Sequence, residues 1–427
     1  MGLISSMNNI ELLSKVASND GHGENSAYFD GWKAYEIDPF HPTQNLMGLF
    51  RMGLCRKSEW VINNQKASIC TAGGAQEFKE IAIYQDYHGL PEFRNAVARF
   101  MEKVRGERVR FEAERIVMSG GATGAHELLA FVWLILERFD RDLRWRTGVQ
   151  LFPVVCESSN DFKVTRRALE DAYKKAQESN ITIKGLLLNN PSNPLGTILD
   201  KETLKDTVRF INEKNIHLVC DEIYAATPVE GFGVSRIQGR DNLLVQRRCN
   251  EMRPKMSSFG LVSTQTQYLI SNMLTDEAFV EKFAAESRER LAKRHGAFTK
   301  GLEKVGISTL KSNAGLFSWM DLRRLLKENT FESEIELWRI IVNEVKLNVS
   351  PGCSFHCSEP GWFRVCFANM DEETMRVALT RIKNFVVQHN KGNNINEGGI
   401  KKLQKCRRSK LRLVISSFFD VFAFGQD

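Results

Sequence analysis

Residues 183 to 220 constrain the fold more than any other stretch of the chain. Ile183-Lys-Gly-Leu-Leu-Leu188 is a short apolar run, the pattern of a strand buried on both faces. Asn190-Pro-Ser-Asn-Pro-Leu-Gly196 then breaks it with two prolines, each of which fixes φ and removes a donor. Asp200 stands where a helix N-cap belongs, and Leu204, Val208 and Ile211 repeat at helical spacing. Ile216-His-Leu-Val-Cys220 is the next strand. Two short buried strands joined by a helical crossover run parallel, so the chain is α/β. Upstream, Phe93, Val97, Phe100, Met101 and Val104 form the inner stripe of another helix. At 427 residues the chain exceeds one hydrophobic core and divides into two or more units.

Composition excludes several classes. With 42% hydrophobic and 26% charged residues, the chain is neither collagen-like, low-complexity nor a polytopic membrane protein. The net charge is +7, and residues from 388 onward carry 8 Lys and Arg against 3 Asp and Glu. The excess is therefore a property of the tail and leaves no nucleic-acid footprint elsewhere. Nine widely spaced cysteines point to reduced thiols in a cytoplasmic protein rather than a disulfide framework. Cys353-Ser-Phe-His-Cys357 lacks a second ligand pair at zinc spacing, so no metal is expected. The longest apolar run, Leu128 to Leu136, is too short to span a bilayer, and no signal peptide is expected. The Met1-Gly2 start matches only the loose myristoylation pattern.

Three motifs can carry chemistry. Ile116 to Ala125 reads as a strand entering a Gly-rich turn and then a helix, whose first N–H groups and Thr123 hydroxyl can cradle a phosphate. Its spacing is neither a P-loop nor G-x-G-x-x-G, and a plain tight turn explains it equally well. Asn193 in the second motif presents an amide at a strand end, or else belongs to a rigid turn. Asp221-Glu-Ile-Tyr224 places a carboxylate and a phenol where open α/β sheets bind ligands; the alternative is a solvated Asp and a packed Tyr. Three such motifs in this order, each at a strand end, together favour a site.

Longer stretches then make the chain familiar. His22 to Ser26, Tyr28 to Tyr35, Gln85 to Arg94, Asp142 to Gly148, Asn190 to Gly196, His217 to Ala226, Met256 to Ser263 and Gly361 to Asn369 resemble the plant 1-aminocyclopropane-1-carboxylate (ACC) synthases. These are fold-type I enzymes dependent on pyridoxal 5′-phosphate (PLP), within the class I/II aminotransferase superfamily. The resemblance runs over about 10 to 388 with gaps. It implies an arm over 1–45, a large domain with a parallel or mixed sheet over 46–262, a small α/β domain over 263–388 and a basic, disordered tail over 389–427. It also implies roles. Ala122 and Thr123 hold the cofactor phosphate, Asp221 pairs with the pyridinium nitrogen, and Asn193 and Tyr224 contact the ring oxygen. Arg364 clamps the α-carboxylate of S-adenosylmethionine, and Tyr87 reaches the neighbouring subunit's site in a homodimer, or in a heterodimer with relatives. The implied reaction converts S-adenosylmethionine to ACC, the ethylene precursor, and methylthioadenosine.

The departures fall on the same site. After Met52-Gly-Leu54 the family continues Ala-Glu-Asn-Gln, whereas here Cys55-Arg-Lys follows. After Ala125 to Leu129 the family has a strand and a Pro-Tyr-Tyr-Pro block, whose tyrosine stacks on the cofactor ring; Ala130 to Asp140 contains neither. After Ala226 the family runs to Ser-x-Ser-Lys and Gly-x-Pro-Gly-x-Arg, which supply the Schiff-base lysine and a phosphate-binding arginine. Thr227 to Arg253 bears no likeness to that stretch. Lys255 does not replace the lysine, since its flanks match a later helix and Ser263 stands where the arginine belongs. The expected product is a family member with internal deletions, impaired or inactive. The alternatives are a non-catalytic dimerisation partner or a mis-spliced gene product. In the tail, Val414 replaces the serine of a kinase site, and a basic stretch before Phe418, Phe419, Phe422 and Phe424 gives a weak case for membrane contact.

Overall fold

The structure, a computed structural model, describes residues 26–52, 85–86, 88–133, 151–227 and 262–398. The chain divides into two units, Met1–Ile382 and Lys383–Asp427. The first contains nearly all of the described elements.

The crossover read from the sequence is present. Strand β2 (Gly185–Asn189) pairs in parallel with β3 (His217–Asp221), so Asn189 lies opposite Asp221 at the C-terminal ends of both strands. The β2 residues Leu186, Leu187 and Leu188 are all buried, as a strand covered on both faces requires. In chain order the helices before β2 among the described residues are α1 (Ala27–Ile37), α2 (Pro91–Val104), α3 (Gly121–Trp133) and α4 (Arg166–Glu178). The crossover helix is α5 (Lys201–Lys214), and the Asp200 carboxylate caps it by accepting the Thr203 N–H at 2.8 Å. Leu204 and Ile211 are buried with Phe210, while Val208 is half-buried, so the inner face is rotated slightly from the spacing argument. In α2, Phe93 is buried and packs with Leu90 and Met118, but Val97, Phe100, Met101 and Val104 are only half-buried. The buried Arg94 shares the inner face instead.

The second half begins with α6 (Thr264–Thr275) and α7 (Glu277–Glu303). An antiparallel sheet follows in the order β4-β5-β8-β7, built from Ser308–Thr309, Phe317–Asp321, Trp362–Cys366 and Ser350–Pro351. Helix α8 (Phe331–Ile340) precedes β6 (Leu347–Asn348), and α9 (Glu372–Gly398) ends the described chain. The Trp319 and Trp362 rings stack 6.2 Å apart, and Phe162 meets both edge-on. These three rings form one core between the 158–165 segment and the antiparallel sheet.

The N-terminal segment is tied to this second half. Strand β1 (Phe50–Arg51) pairs in parallel with β6, and Asn348 donates to the Gly31 carbonyl at 2.8 Å. A Cβ at Gly31 would lie 2.2 Å from Asn348 Oδ1, so only glycine lets α1 approach so closely. Arg381 donates to the Leu46 and Gly48 carbonyls while stacking 4.6 Å over Phe50.

The cysteine reading needs one correction. Cys220 and Cys353 keep their thiols, but the fully buried Cys366 is disulfide-bonded. Wide sequence spacing does not preclude a pairing that folding brings together. Among the described residues no group of three or more His, Cys, Asp or Glu is placed to hold a metal ion, and no helix is long and apolar enough to cross a membrane.

Candidate active site

The site is built at the C-terminal ends of β2 and β3. Parallel strands leave their last residues side by side there, and the backbone must turn away. Asp221 is 7% exposed, and three groups fix its carboxylate. Asn189 donates to Oδ2 at 3.0 Å, the Ile223 N–H donates to Oδ1 at 3.1 Å, and His126 Nε2 lies 3.7 Å from Oδ2. Asn189 also accepts the Asn193 N–H at 2.9 Å, which ties the second motif to the third. Both prolines of that motif follow cis peptide bonds, Asn190–Pro191 and Asn193–Pro194. The next turn is fixed by Thr227, whose hydroxyl donates to the Tyr224 carbonyl and accepts the Gly315 N–H.

Arg364, in the middle of β8, reaches this edge from the antiparallel sheet. It is 4% exposed and donates to Asn193 Oδ1 at 2.8 Å. Its guanidinium lies 4.3 Å from the Phe317 ring centroid and 4.4 Å from that of Phe355, and it also hydrogen-bonds Tyr28. The Tyr224 ring meets Phe317 edge-on at 5.7 Å. Helix α3 brings the first motif in, but without the strand expected ahead of it, since Ile116 to Ser119 is irregular backbone; its N-terminus carries Ala122 and the exposed Thr123, and one turn on it presents the buried His126 to Asp221.

Electrostatics follow from burial. Loss of water pushes the His126 imidazole below its ordinary value, outweighing the pull of Asp221, so the ring is neutral near pH 7. Burial raises the Tyr224 phenol, which stays protonated and able to donate. The Cys220 thiol is pushed up to about 12, chiefly by burial, and is not a nucleophile. Burial also lowers Arg364, while the surrounding tyrosines act in the opposite direction.

The structure thus brings together Asp221, Asn193, Tyr224 and Arg364, with α3 alongside. Tyr87, Lys255, the 54–56 and 134–141 junctions, residues 228–253 and the tail from 399 lie outside the described residues. Four contributors were not singled out from sequence: Tyr28, His126, Phe317 and Phe355. Tyr28 begins a family-like stretch and His126 follows the Gly-rich turn by two residues, so their positions held a signal. The phenylalanines had none, because only the sheet pairing places them on Arg364.

A family model described as aminotransferase class I and II matches residues 56–247 and 243–382. The chain is 52% identical to a 1-aminocyclopropane-1-carboxylate synthase of Glycine max over an aligned length of 472, covering 98% of this chain and 95% of the relative. It is 54% identical to 1-aminocyclopropane-1-carboxylate synthase 6 of Arabidopsis thaliana, covering 95% and 92%. The chain belongs to the ACC synthase family. Its fold is that of the class I/II aminotransferases. An aminotransferase from Mycobacterium tuberculosis superposes with a TM-score of 0.69 at 15% identity, covering 88% of this chain and 99% of that one. A Thermus thermophilus aspartate aminotransferase mutant gives 0.63 at 20% identity, covering 90% and 99%. The ACC synthase family works with PLP. The described residues fit that cofactor on two observations. Asp221 is an anchored carboxylate suited to a protonated ring nitrogen, with Asn193 and Tyr224 beside it as polar partners for a ring oxygen. At the α3 N-terminus a Cβ built on Gly120 or Gly121 meets no atom of the described residues within 4 Å, so among these residues the helix end opens onto space in which a phosphate can lie.

Proposed function

We propose that this chain keeps the ligand-recognition frame of an ACC synthase without the lysine on which turnover depends. The observation that carries the first half is the 2.8 Å bond from Arg364 to Asn193. It couples the arginine suited to an α-carboxylate to the asparagine suited to the cofactor ring. In this reading Ala122 and Thr123 hold the PLP phosphate, Asp221 holds the ring nitrogen, and Asn193 and Tyr224 hold the ring oxygen. Arg364 receives the carboxylate of S-adenosylmethionine through its planar fork. Bound PLP supplies an electron sink for the bond broken at the substrate Cα. Tyr87 serves the neighbouring subunit's site.

The second half is supported by sequence. The 472-position alignment with the Glycine max relative is longer than the whole 427-residue chain, so at least 45 aligned positions have no counterpart here. Thr227 to Arg253 also lacks the family's Ser-x-Ser-Lys and Gly-x-Pro-Gly-x-Arg blocks. A charged phosphate contact contributes roughly 1.5–3 kcal/mol, so losing that arginine weakens PLP about tenfold or more. Losing the lysine removes the covalent attachment and the acid–base group, and the latter alone is worth about 10²–10⁴-fold in rate. The chain then acts as a non-catalytic partner, as a homodimer or paired with active relatives.

The test uses the purified, folded chain with added PLP and S-adenosylmethionine. The expected result is a free-PLP spectrum, no lysine adduct after borohydride reduction and no ACC. A stable adduct on one lysine together with ACC formation would overturn the proposal and identify a substitute lysine.

A further inference from the structure

Glu334 is the one carboxylate in the described core that is 0% exposed, and it lies outside the site just described. It projects from α8 beneath the loop joining β7 to β8. Oε1 accepts the Cys353 N–H at 2.9 Å and Oε2 accepts the Gly361 N–H at 2.6 Å. These two donors are the opposite ends of the loop, so one side chain closes it. Glycine at 352 lets the two ends of the loop come together: a Cβ there would lie 2.8 Å from the Trp362 carbonyl oxygen.

The closed loop carries Phe355. That ring packs edge-on to Trp319 at 6.0 Å and forms one face of the aromatic sandwich around Arg364. The other face, Phe317, belongs to β5 and is fixed by ladder pairing with Cys366. Phe355 has no such ladder; its place depends on how the loop is held. Gly361, the second anchor, lies only three residues before Arg364, so the same carboxylate also sets where β8 begins.

We propose that Glu334 is a positioning residue for Arg364. By fixing both ends of the 352–361 loop it holds Phe355 against the guanidinium, and so sets how firmly the site grips a ligand carboxylate. This rests on the reading of Arg364 as the carboxylate receptor. A buried guanidinium clamped between two rings is pre-oriented, whereas one with a single fixed face loses orientation and admits water.

The experiment measures binding of S-adenosylmethionine and of its decarboxylated analogue to the full chain by titration calorimetry. The variants are wild type, Glu334→Gln, Phe355→Leu and the double variant, with near-ultraviolet circular dichroism as the folding control. Wild type should prefer the carboxylate ligand. Glu334→Gln places an amide donor against a backbone donor and should weaken S-adenosylmethionine about tenfold, the scale of a desolvated cation–π contact, while moving the analogue less than about twofold. Phe355→Leu leaves the Glu334 bonds in place and should give the same selective loss. The double variant should be no worse than either single one. Equal weakening of both ligands, or additive losses in the double variant, overturns the role of Glu334. Equal affinity of wild type for both ligands overturns the reading of Arg364, and with it this inference. If Glu334→Gln does not fold, an unchanged preference in Phe355→Leu is sufficient to overturn the inference.

Discussion

At the scale of single residues, burial decides the chemistry more than residue type does. His126 and Asp221 would form an ion pair in water, but the imidazole is buried and held neutral beside the carboxylate. Because the native value lies below the unfolded value of 6.5, the neutral ring contributes stability that is present above pH 6.5 and is lost as pH falls through the native value. His126→Asn should therefore flatten the fall in stability on the acid side of pH 6.5, by at most about 1.4 kcal/mol per pH unit. Chemical denaturation of both proteins across that range checks it. His295, lowered by burial alone, leaves a residual slope of the same sign in the variant. Glu334 behaves oppositely. Burial outweighs its backbone donors and raises its pKa above 4.5, so its contribution to stability is full below pH 4.5 and is lost as pH rises through the native value. The gap between wild type and Glu334→Gln should accordingly narrow, or reverse, on moving from pH 4 to pH 7.

At the scale of elements, the crossover helix α5 was legible because its signals are local. Asp200 caps it, Lys214 is in its last turn, and Asn215 closes it in the left-handed conformation at φ 50°. Asp200→Ala removes the bond to the Thr203 N–H and should cost ~1 kcal/mol, read as a shift in the urea midpoint with an unchanged slope. The face of α2 was less legible. Its apolar stripe is only half-buried because Arg94 takes an inner position, where it donates to the Gly89 carbonyl at 3.0 Å and to Asp86 at 3.1 Å. A periodicity argument assigns a guanidinium to solvent, and only the acceptors that folding gathers around it, the Gly89 and Ala113 carbonyls and the Asp86 and Glu114 carboxylates, make burial favourable. The same holds for Glu334, which reads as a surface helix residue until the 352–361 loop folds over it.

At the scale of the whole molecule, the N-terminal segment displays Ile37, Leu46 and Met47, which are 84%, 58% and 75% exposed in the single chain. Arg381 pins the turn that carries Leu46, so this apolar group is presented rigidly. The proposed dimer then has a cheap test. Light scattering at tens of micromolar should give twice the chain mass, and Leu46→Glu combined with Met47→Glu should shift the folded protein toward monomer. A folded wild-type monomer at that concentration would reject the dimer.

The sequence by itself determined the α/β class, the βαβ unit, the motifs at its strand ends and the family. Each of these depends on short-range signals, such as apolar runs, turn residues, caps and contiguous motifs, that a chain carries in order. Only the tertiary structure decided that Asn193 and Arg364, 171 residues apart, share a hydrogen bond. The same is true of Phe317 and Phe355 enclosing the guanidinium, of Tyr28 reaching it from the arm, and of a buried glutamate closing the loop behind it. Such contacts depend on strand register and on where a desolvated polar group finds its partner. Both are set by packing across the fold rather than by neighbours along the chain.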